Sequence, residues 1–359
     1  LSIRELMAKA AAGQNLNEFE SARAMEEIMT GQATPSQIAA YLIALRVKGE
    51  TPEEIAGAAL VLREKATPVP HSLPLVVDTC GTGGGRTKTF NISTAAAFVV
   101  AGTGVPVAKH GNRSFTTQCG SADVLEALGV NLDLTPERVG EALELLGIGF
   151  LFAPALHVAM KYAAVPRREL GIDTIFNCLG PLANPARPQV QVIGVFREDL
   201  VGKVAVALAR LGTRTGLVVH GDGGMDEMAL SGQTQVAEVR DGHIRRYEVR
   251  PEDVGLTPAP AEALAGGTPE HNAGILQGVL RGDPGPARDV VCLNAGAALY
   301  AAGTAGSIRE GVRLAQESID SGRALAKLDA LRLFTRAGAL AGAEGAGGEA
   351  AGPAATVAR

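Results

Sequence analysis

The chain has 359 residues, a formal net charge of −5, 46% hydrophobic residues and 20% charged residues. These values exclude wholesale disorder, and they exclude a protein built mainly to grip nucleic-acid phosphates. Trp is absent and aromatics make up 4%, so base-stacking platforms are excluded as well. The length reads as two domains, or one large domain with an accessory piece, and needs no disulfide or metal staple. Cys80, Cys119, Cys178 and Cys292 form no CxxC pair, which predicts a reduced chain without a zinc site. LSIRELMAKA lacks a signal pattern and no uninterrupted apolar run reaches 18 residues, so a cytoplasmic protein without a membrane partner is expected.

Residues 1–65 read as helices. Asn17 with Glu20 makes a capping-box start, and Gly31 ends that segment. Thr34-Pro35 and Thr51-Pro52 each place a cap before a proline at the first helical position. Ile38, Tyr41, Leu42 and Leu45 share one face, as do Ile55, Ala59 and Leu62. So small a bundle cannot hide its apolar surface alone and must pack on a second domain or another subunit.

From residue 66 the texture changes. TPVPHSLP is a linker; LVVD is a buried strand running into a Gly-rich loop. Strand-like and helical runs then alternate: VPVAKH and SADVLEALG, GFLF and PALHVAMKYA, VQVIGVF and DLVGKVAVALARLG, then TGLVVHG. This predicts an α/β fold with a mainly parallel central sheet covered by helices. QVAEV, the Asp241-Gly242 turn and IRRYEV predict an antiparallel hairpin, and helices return from 269 to 339. The expected division is a helical domain over 1–65, an α/β domain over 66–340 and a disordered Ala/Gly-rich tail over 341–359.

Four segments could carry chemistry. Asp78-Thr79-Cys80-Gly81-Thr82-Gly83-Gly84-Gly85 follows a strand and precedes Thr89-Phe90-Asn91-Ile92-Ser93-Thr94, which opens a helix. Glycines there let backbone N–H groups approach an anion, and the helix N-terminus adds donors and a favourable dipole. The plainer alternative is a tight turn that needs glycine for geometry. The spacing matches neither a dinucleotide fingerprint nor a Walker loop. Lys109-His110-Gly111-Asn112-Arg113 follows the next strand, where Lys109 and Arg113 could meet the same anion. His110 is either a structural hydrogen-bonder or a direct participant, and Ser121 either caps a helix or touches phosphate. Arg167 and Arg168 suit a carboxylate or phosphate through guanidinium forks, or form a solvated turn. Asp226-Glu227 either share a divalent cation, Mg²⁺ with substrate phosphates being the fit, or are surface acids.

In this order DTCGTGG, KTFNIST, VAKHGNRS, GSADVLEALG, the HVAMK stretch to RRELG, TIFNCLGPLANP and HGDGGMDE resemble the anthranilate phosphoribosyltransferase family over most of residues 1–340. The resemblance implies the nucleoside phosphorylase/phosphoribosyltransferase type of fold and a homodimer formed through the helical domain, with the site in the cleft between the domains. It implies transfer of a phosphoribosyl group from phosphoribosyl pyrophosphate to the amino group of anthranilate in tryptophan biosynthesis. Carried over by motif, Gly81, Gly84, Thr89, Asn91, Ser93, Thr94, Lys109 and Ser121 would hold the phosphoribosyl donor. Gly81, His110, Asn112, His157 and Arg167 would line the anthranilate site, with Arg167 facing the carboxylate. Ser93, Asp226 and Glu227 would hold Mg²⁺. No strong acid or base is expected, His110 being the one candidate.

Two positions depart from the family pattern. Gly85 stands where an Asp is common, which is expected to alter Mg²⁺ binding or inhibition by excess Mg²⁺. Asp173 stands where Arg is frequent, which is expected to disturb charge pairing near Arg167 and Arg168. Among rival readings, a pyrimidine-nucleoside phosphorylase fits KHGNRS, RRELG and the Asp-Glu pair less well. A nucleic-acid-binding relative conflicts with the charge of −5. A dinucleotide oxidoreductase lacks the loop spacing and the acidic ribose partner.

Overall fold

The computed structural model describes residues 1–85, 87–114 and 118–345, with side chains up to 337. Four helices open the chain: α1 (Ile3–Ala11), α2 (Glu18–Met29), α3 (Pro35–Lys48) and α4 (Pro52–Lys65). Asn17, Thr34 and Thr51 cap the last three through reciprocal capping boxes, each worth about 1 kcal/mol. The large unit follows with β1 (Val77–Gly81), α5 (Ile92–Gly102), β2 (Val107–Gly111), α6 (Ser121–Ala127), α7 (Pro136–Leu146) and β3 (Ile148–Phe152). Next come α8 (Ala153–Leu156), α9 (Lys161–Leu170), α10 (Ile175–Leu182), β4 (Val190–Gly194), α11 (Asp199–Arg210) and β5 (Thr215–Gly221). The hairpin β6 (Thr234–Arg240) and β7 (His243–Val249) precedes α12 (Pro269–Arg281), α13 (Pro286–Ala301), α14 (Ile308–Asp320) and α15 (Arg323–Gly345). Of the tail expected from 341, residues 341–345 continue α15, and 346–359 lie outside the described residues.

The strands form one seven-stranded sheet in the order β3-β2-β1-β4-β5-β6-β7. Pairs from β3 to β5 are parallel, and β5-β6-β7 are antiparallel. Asp241 and Gly242 turn the hairpin with φ of 48° and 80°, the doubly positive geometry that suits strand twist. From β1 the chain winds outward through β2 and β3, then returns to place β4 on the other side of β1. The β1–β4 boundary is therefore the switch point at which open α/β sheets bind ligands.

The helical unit has no separate core. Ile28, Tyr41, Leu42, Leu45, Ile55 and Leu62 belong to one cluster with Phe176 and Leu179 of α10, Val204 and Leu208 of α11, and Ile193 and Val218 of the sheet. This is the packing that the apolar faces of α3 and α4 required. The opposite sheet face is covered by α5, α13 and α15, whose Phe98, Leu293 and Leu328 are buried. The run PALHVAMKYA, expected as one helix, is broken into α8, a short 3₁₀ turn over Val158–Met160 and α9. His157 sits at the break with φ −115° and ψ 57°, and its side chain turns inward to a partner on β2.

Candidate functional site

The last residues of β1 and β4, Gly81 and Gly194, are register partners at the switch point. A loop from β5 lies directly over them. A Cβ on Gly194 would sit 1.6 Å from the Asp226 carbonyl oxygen, and one on Gly81 would sit 2.3 Å from Asp226 Oδ2. Two glycines thus admit the Asp226-Glu227 backbone to the crevice. Asp226 Oδ2 accepts the Gly83 N–H at 2.8 Å, and Gly84 takes φ +80°. Burial pushes the Asp226 carboxyl above its usual range, with the Gly83 N–H opposing. Burial, then the Asp226 charge, pushes Glu227 up to about 8, while Lys109 and Ser93 draw it back.

Lys109 rises from β2 into the same space. It is 4% exposed, and its Nζ donates to the Thr79 carbonyl at 2.5 Å and to Ser93 Oγ at 3.4 Å. Thr79 Oγ1 in turn donates to the Ser93 carbonyl, fixing the first turn of α5. Asp226, Glu227 and the Ser93 hydroxyl offer hard oxygen donors suited to Mg²⁺, which commonly takes one or two carboxylates plus substrate phosphates. Among the described residues there is no cluster of three or more His, Cys, Asp or Glu side chains placed to hold a metal ion.

Other expected donor-site residues take different positions. Asn91 precedes α5, but its side chain is spent on protein: Nδ2 donates to the Cys119 carbonyl, and Oδ1 accepts from Asn272 Nδ2 at 3.0 Å. Thr94 is 1% exposed, its hydroxyl buried without a hydrogen-bond partner. Thr89 bridges to Ala265, and Ser121 Oγ accepts from the Asn112 N–H at 3.2 Å. The α6 start is instead closed by Asp123, which accepts from the Gly120 N–H. Arg113, expected beside Lys109, is turned away to ion pairs with Asp123 and Glu126.

The expected acceptor residues gather along α10. His110 Nδ1 lies 3.2 Å from the Gly180 carbonyl, and its Nε2 lies 3.1 Å from Nε2 of His157. A carbonyl can only accept, so His110 carries its proton on Nδ1 and accepts at Nε2 from His157 Nε2–H. Burial holds both imidazoles neutral, His110 pushed down to about 3 and His157 to about 4. Arg167 lies over the Phe176 ring at 4.9 Å and has no carboxylate partner among the described residues. Burial lowers its guanidinium from its usual value. Arg167 and His110 thus both contact α10, at Phe176 and at Gly180, four residues apart on one helix face. Asn112 Oδ1 accepts from the Arg113 N–H.

Asp173, expected to disturb charge pairing near Arg167 and Arg168, forms no ion pair with either among the described residues. It accepts from Asn177 Nδ2 at 2.9 Å and faces Gly84 across the cleft. That cleft, about 770 Å³, runs between Arg46 of α3, the loop residues Gly84, Phe196 and Arg197, and His220 at the end of β5.

Sequence reasoning assigned no role to Asp78 or Asn184. Asp78, fully buried, accepts the His110 N–H at Oδ1 and Asn184 Nδ2 at Oδ2, and Asn184 Nδ2 also reaches the Ala108 carbonyl. Together they hold the end of β2, and so Lys109 and His110, in place. The available signal was an acid closing the apolar run LVVD and an amide before Pro185.

This two-domain fold and its crevice define a glycosyl transferase. Residues 4–66 match the helical bundle domain of that family and residues 73–325 match its a/b domain. A protein from Symbiobacterium thermophilum named anthranilate phosphoribosyltransferase is 57% identical over 93% of this chain and 98% of its own length. The crystal structure of anthranilate phosphoribosyltransferase from Thermus thermophilus superposes with a TM-score of 0.88 at 48% identity, covering 92% of this chain and 99% of that one. The Saccharomyces cerevisiae enzyme, described in complex with PRPP and Mg, superposes at 0.85 with 28% identity, over 93% and 98% of the two chains. The chain belongs to the anthranilate phosphoribosyltransferase family.

Proposed function

We propose that this cleft transfers the 5-phosphoribosyl group of phosphoribosyl pyrophosphate to the amino group of anthranilate, releasing pyrophosphate, as a step of tryptophan biosynthesis. The observation that carries the reading is the meeting, at the β1–β4 switch point, of Asp226, Glu227, Ser93 and Lys109 with a glycine loop. Mg²⁺ held by Asp226, Glu227 and Ser93 would neutralise charge on the departing pyrophosphate. The Gly83 and Gly84 amides and the N-terminus of α5 would donate to the same anion, and Lys109 adds a buried ammonium beside it. Arg167, stacked on Phe176 and without a carboxylate partner among the described residues, pairs its guanidinium fork with the anthranilate carboxylate. His110 and His157, neutral and tautomer-locked, line the acceptor's path as hydrogen-bonding groups. The aromatic amine is uncharged at pH 7, so its nitrogen lone pair forms the new bond to C1 as the C1–pyrophosphate bond breaks. Its surplus proton is lost afterwards, and no residue need act as a strong base.

The helical unit forms one wall of the cleft through Arg46. Val47 on α3 and Tyr162 and Val165 on α9 stay exposed, which supports a homodimer through this face. No helix among the described residues is long and apolar enough to cross a membrane, and a cytoplasmic site of action is part of the proposal, as is the absence of nucleic-acid partners. The test follows loss of anthranilate fluorescence with phosphoribosyl pyrophosphate, with and without Mg²⁺, in wild type and Arg167→Ala. Mg²⁺-dependent consumption with a 10- to 100-fold rise in anthranilate KM for the variant is expected, equivalent to about 1.4–2.7 kcal/mol. Consumption insensitive to Arg167 moves the acceptor site, and no consumption by folded protein refutes the reaction.

A further inference from the structure

The acidic pair stands on a two-residue span whose backbone is clamped on both sides. Upstream, Gly221 and Met225 exchange N–H···O bonds of 2.9 and 3.1 Å. Downstream, the residue following Glu227 is gripped by one side chain from a distant helix. The Met228 N–H donates to Asn294 Oδ1 at 2.9 Å, and the Met228 carbonyl accepts from Asn294 Nδ2 at 3.1 Å. The same Nδ2 also donates to the Val290 carbonyl, one turn earlier in α13, at 2.9 Å. That third bond fixes the orientation of the amide, because a flipped Asn294 would set donor against donor at Met228 and acceptor against acceptor at Val290.

Asn294 is 6% exposed in a helix whose neighbours Val290, Val291, Cys292, Leu293, Ala295 and Ala297 are all buried and apolar. An amide is costly there unless its hydrogen bonds are made, and each one is made to backbone. With Thr79, Ser93, Asp226 and Glu227 it lines the small enclosed space beneath the carboxylates. A leucine would fill the position in an ordinary core. The amide does what leucine cannot: it satisfies both polar groups of Met228 and so fixes the backbone on which the two acids stand.

We propose that Asn294 is the positioning residue of the divalent-cation site, holding Met228 so that Asp226 and Glu227 stay in place beside Ser93, where a divalent cation would be held. Adjacent like charges diverge when their backbone is free, and α13 supplies the restraint from 66 residues away. The inference rests on the reading of Asp226 and Glu227 as cation ligands, and the experiment separates the two. Mn²⁺ serves as the probe, titrated by electron paramagnetic resonance into the full chain with and without pyrophosphate.

Asn294→Leu removes all three hydrogen bonds at similar volume; Asn294→Ala does so while leaving room for water, which guards against a variant that fails to fold. Both are expected to bind Mn²⁺ at least tenfold more weakly and to raise the Mg²⁺ concentration for half-maximal turnover in parallel, with anthranilate KM changed less than twofold. Leu293→Ala, on the same helix, lowers thermal stability without moving the Mn²⁺ titration. If folded Asn294→Leu or Asn294→Ala binds Mn²⁺ within twofold of wild type while Asp226→Asn loses it, Asn294 has no positioning role. If Asp226→Asn and Glu227→Gln both leave Mn²⁺ binding unchanged, the ligand assignment fails and takes this inference with it.

Discussion

Gly194→Ala tests whether backbone approach at the switch point is what places the acids. The new Cβ would lie 1.6 Å from the Asp226 carbonyl oxygen and 2.2 Å from its carbonyl carbon. The obstructing atoms are backbone, so no rotamer change relieves them. To reach even 3.0 Å the Asp226 loop must retreat by about 1.4 Å, still short of ordinary van der Waals contact. The loop is clamped at Met225 and Met228, so the displacement falls on Asp226 and Glu227. It also breaks the 2.8 Å bond from the Gly83 N–H. A misplacement of roughly 1 Å in a positioned group costs about 100-fold in rate, and overpacking costs about 1–3 kcal/mol of stability. The expected result is a kcat at least 100-fold lower by anthranilate fluorescence, with the Mg²⁺ requirement shifted upward and thermal unfolding only modestly earlier. Gly274→Ala is the control: its Cβ meets nothing within 4 Å in α12, so activity should hold and stability should rise by up to about 1 kcal/mol. A Gly194→Ala enzyme with wild-type kcat and Mg²⁺ dependence would refute the argument that close approach builds the site.

Three further outcomes follow from the same geometry. Folded-state values of about 3 for His110 and about 4 for His157 lie below the unfolded 6.5, so the unfolded chain alone takes up these protons as pH falls. The stability is whole above about pH 6.5 and declines toward pH 4, by a little over 1 kcal/mol per pH unit for each histidine. Urea unfolding at pH 7 and pH 5 should therefore differ less in a His110→Phe, His157→Phe double variant, and an unchanged difference would place the acid sensitivity elsewhere. Gly85→Asp points a third carboxylate at Asp226, since its Cβ would lie 3.0 Å from Asp226 Oδ1. The Mg²⁺–rate curve should shift toward lower Mg²⁺ with inhibition at excess, and a superimposable curve would dismiss Gly85 as a determinant. Asn184→Leu strips Asp78 Oδ2 of its 2.8 Å donor and leaves the Ala186 N–H without its acceptor. A loss of about 3 kcal/mol is expected in denaturant titration, and a loss under about 1 would show that the buried carboxylate finds another partner.

Local chemistry made much of the fold legible. The caps at Asn17, Thr34 and Thr51 act on their own first turns, and the Asp241-Gly242 turn on the strands it joins, so each signal lies beside its effect. Thr135-Pro136 carries the same signal for α7, which the strand–helix alternation read from the sequence passes over. What sequence reading missed depends on partners far along the chain. His157 breaks a helix that periodicity alone would run straight through, because its ring reaches His110, 47 residues earlier. Arg113 stands next to Lys109's loop in sequence, yet carboxylates on α6 turn it outward. Thr94 has the polarity of a phosphate-loop residue, but α5 is buried on nearly every side and takes the hydroxyl in with it. Asn184 and Asn294 look like interruptions of apolar runs until their partners, 106 and 66 residues away, are in view.

The bond between Asp226 and the Gly83 N–H also bears on how donor and cation would act together. Asp226 accepts from the Gly83 N–H, one of the loop donors on which the proposed diphosphate site depends. A diphosphate entering without a cation would compete with this carboxylate for one hydrogen and face its charge at short range. If Asp226 holds the cation as proposed, its carboxylate would be less available to the Gly83 N–H, and the two ligands would favour each other's binding. Burial, which holds both acids above their usual carboxylate range, adds to the same coupling because a cation favours their ionised forms. Gly81 and Gly194 admit the acid loop, Asn294 grips it at Met228, and Asp226 holds the Gly83 N–H that the proposed diphosphate would seek.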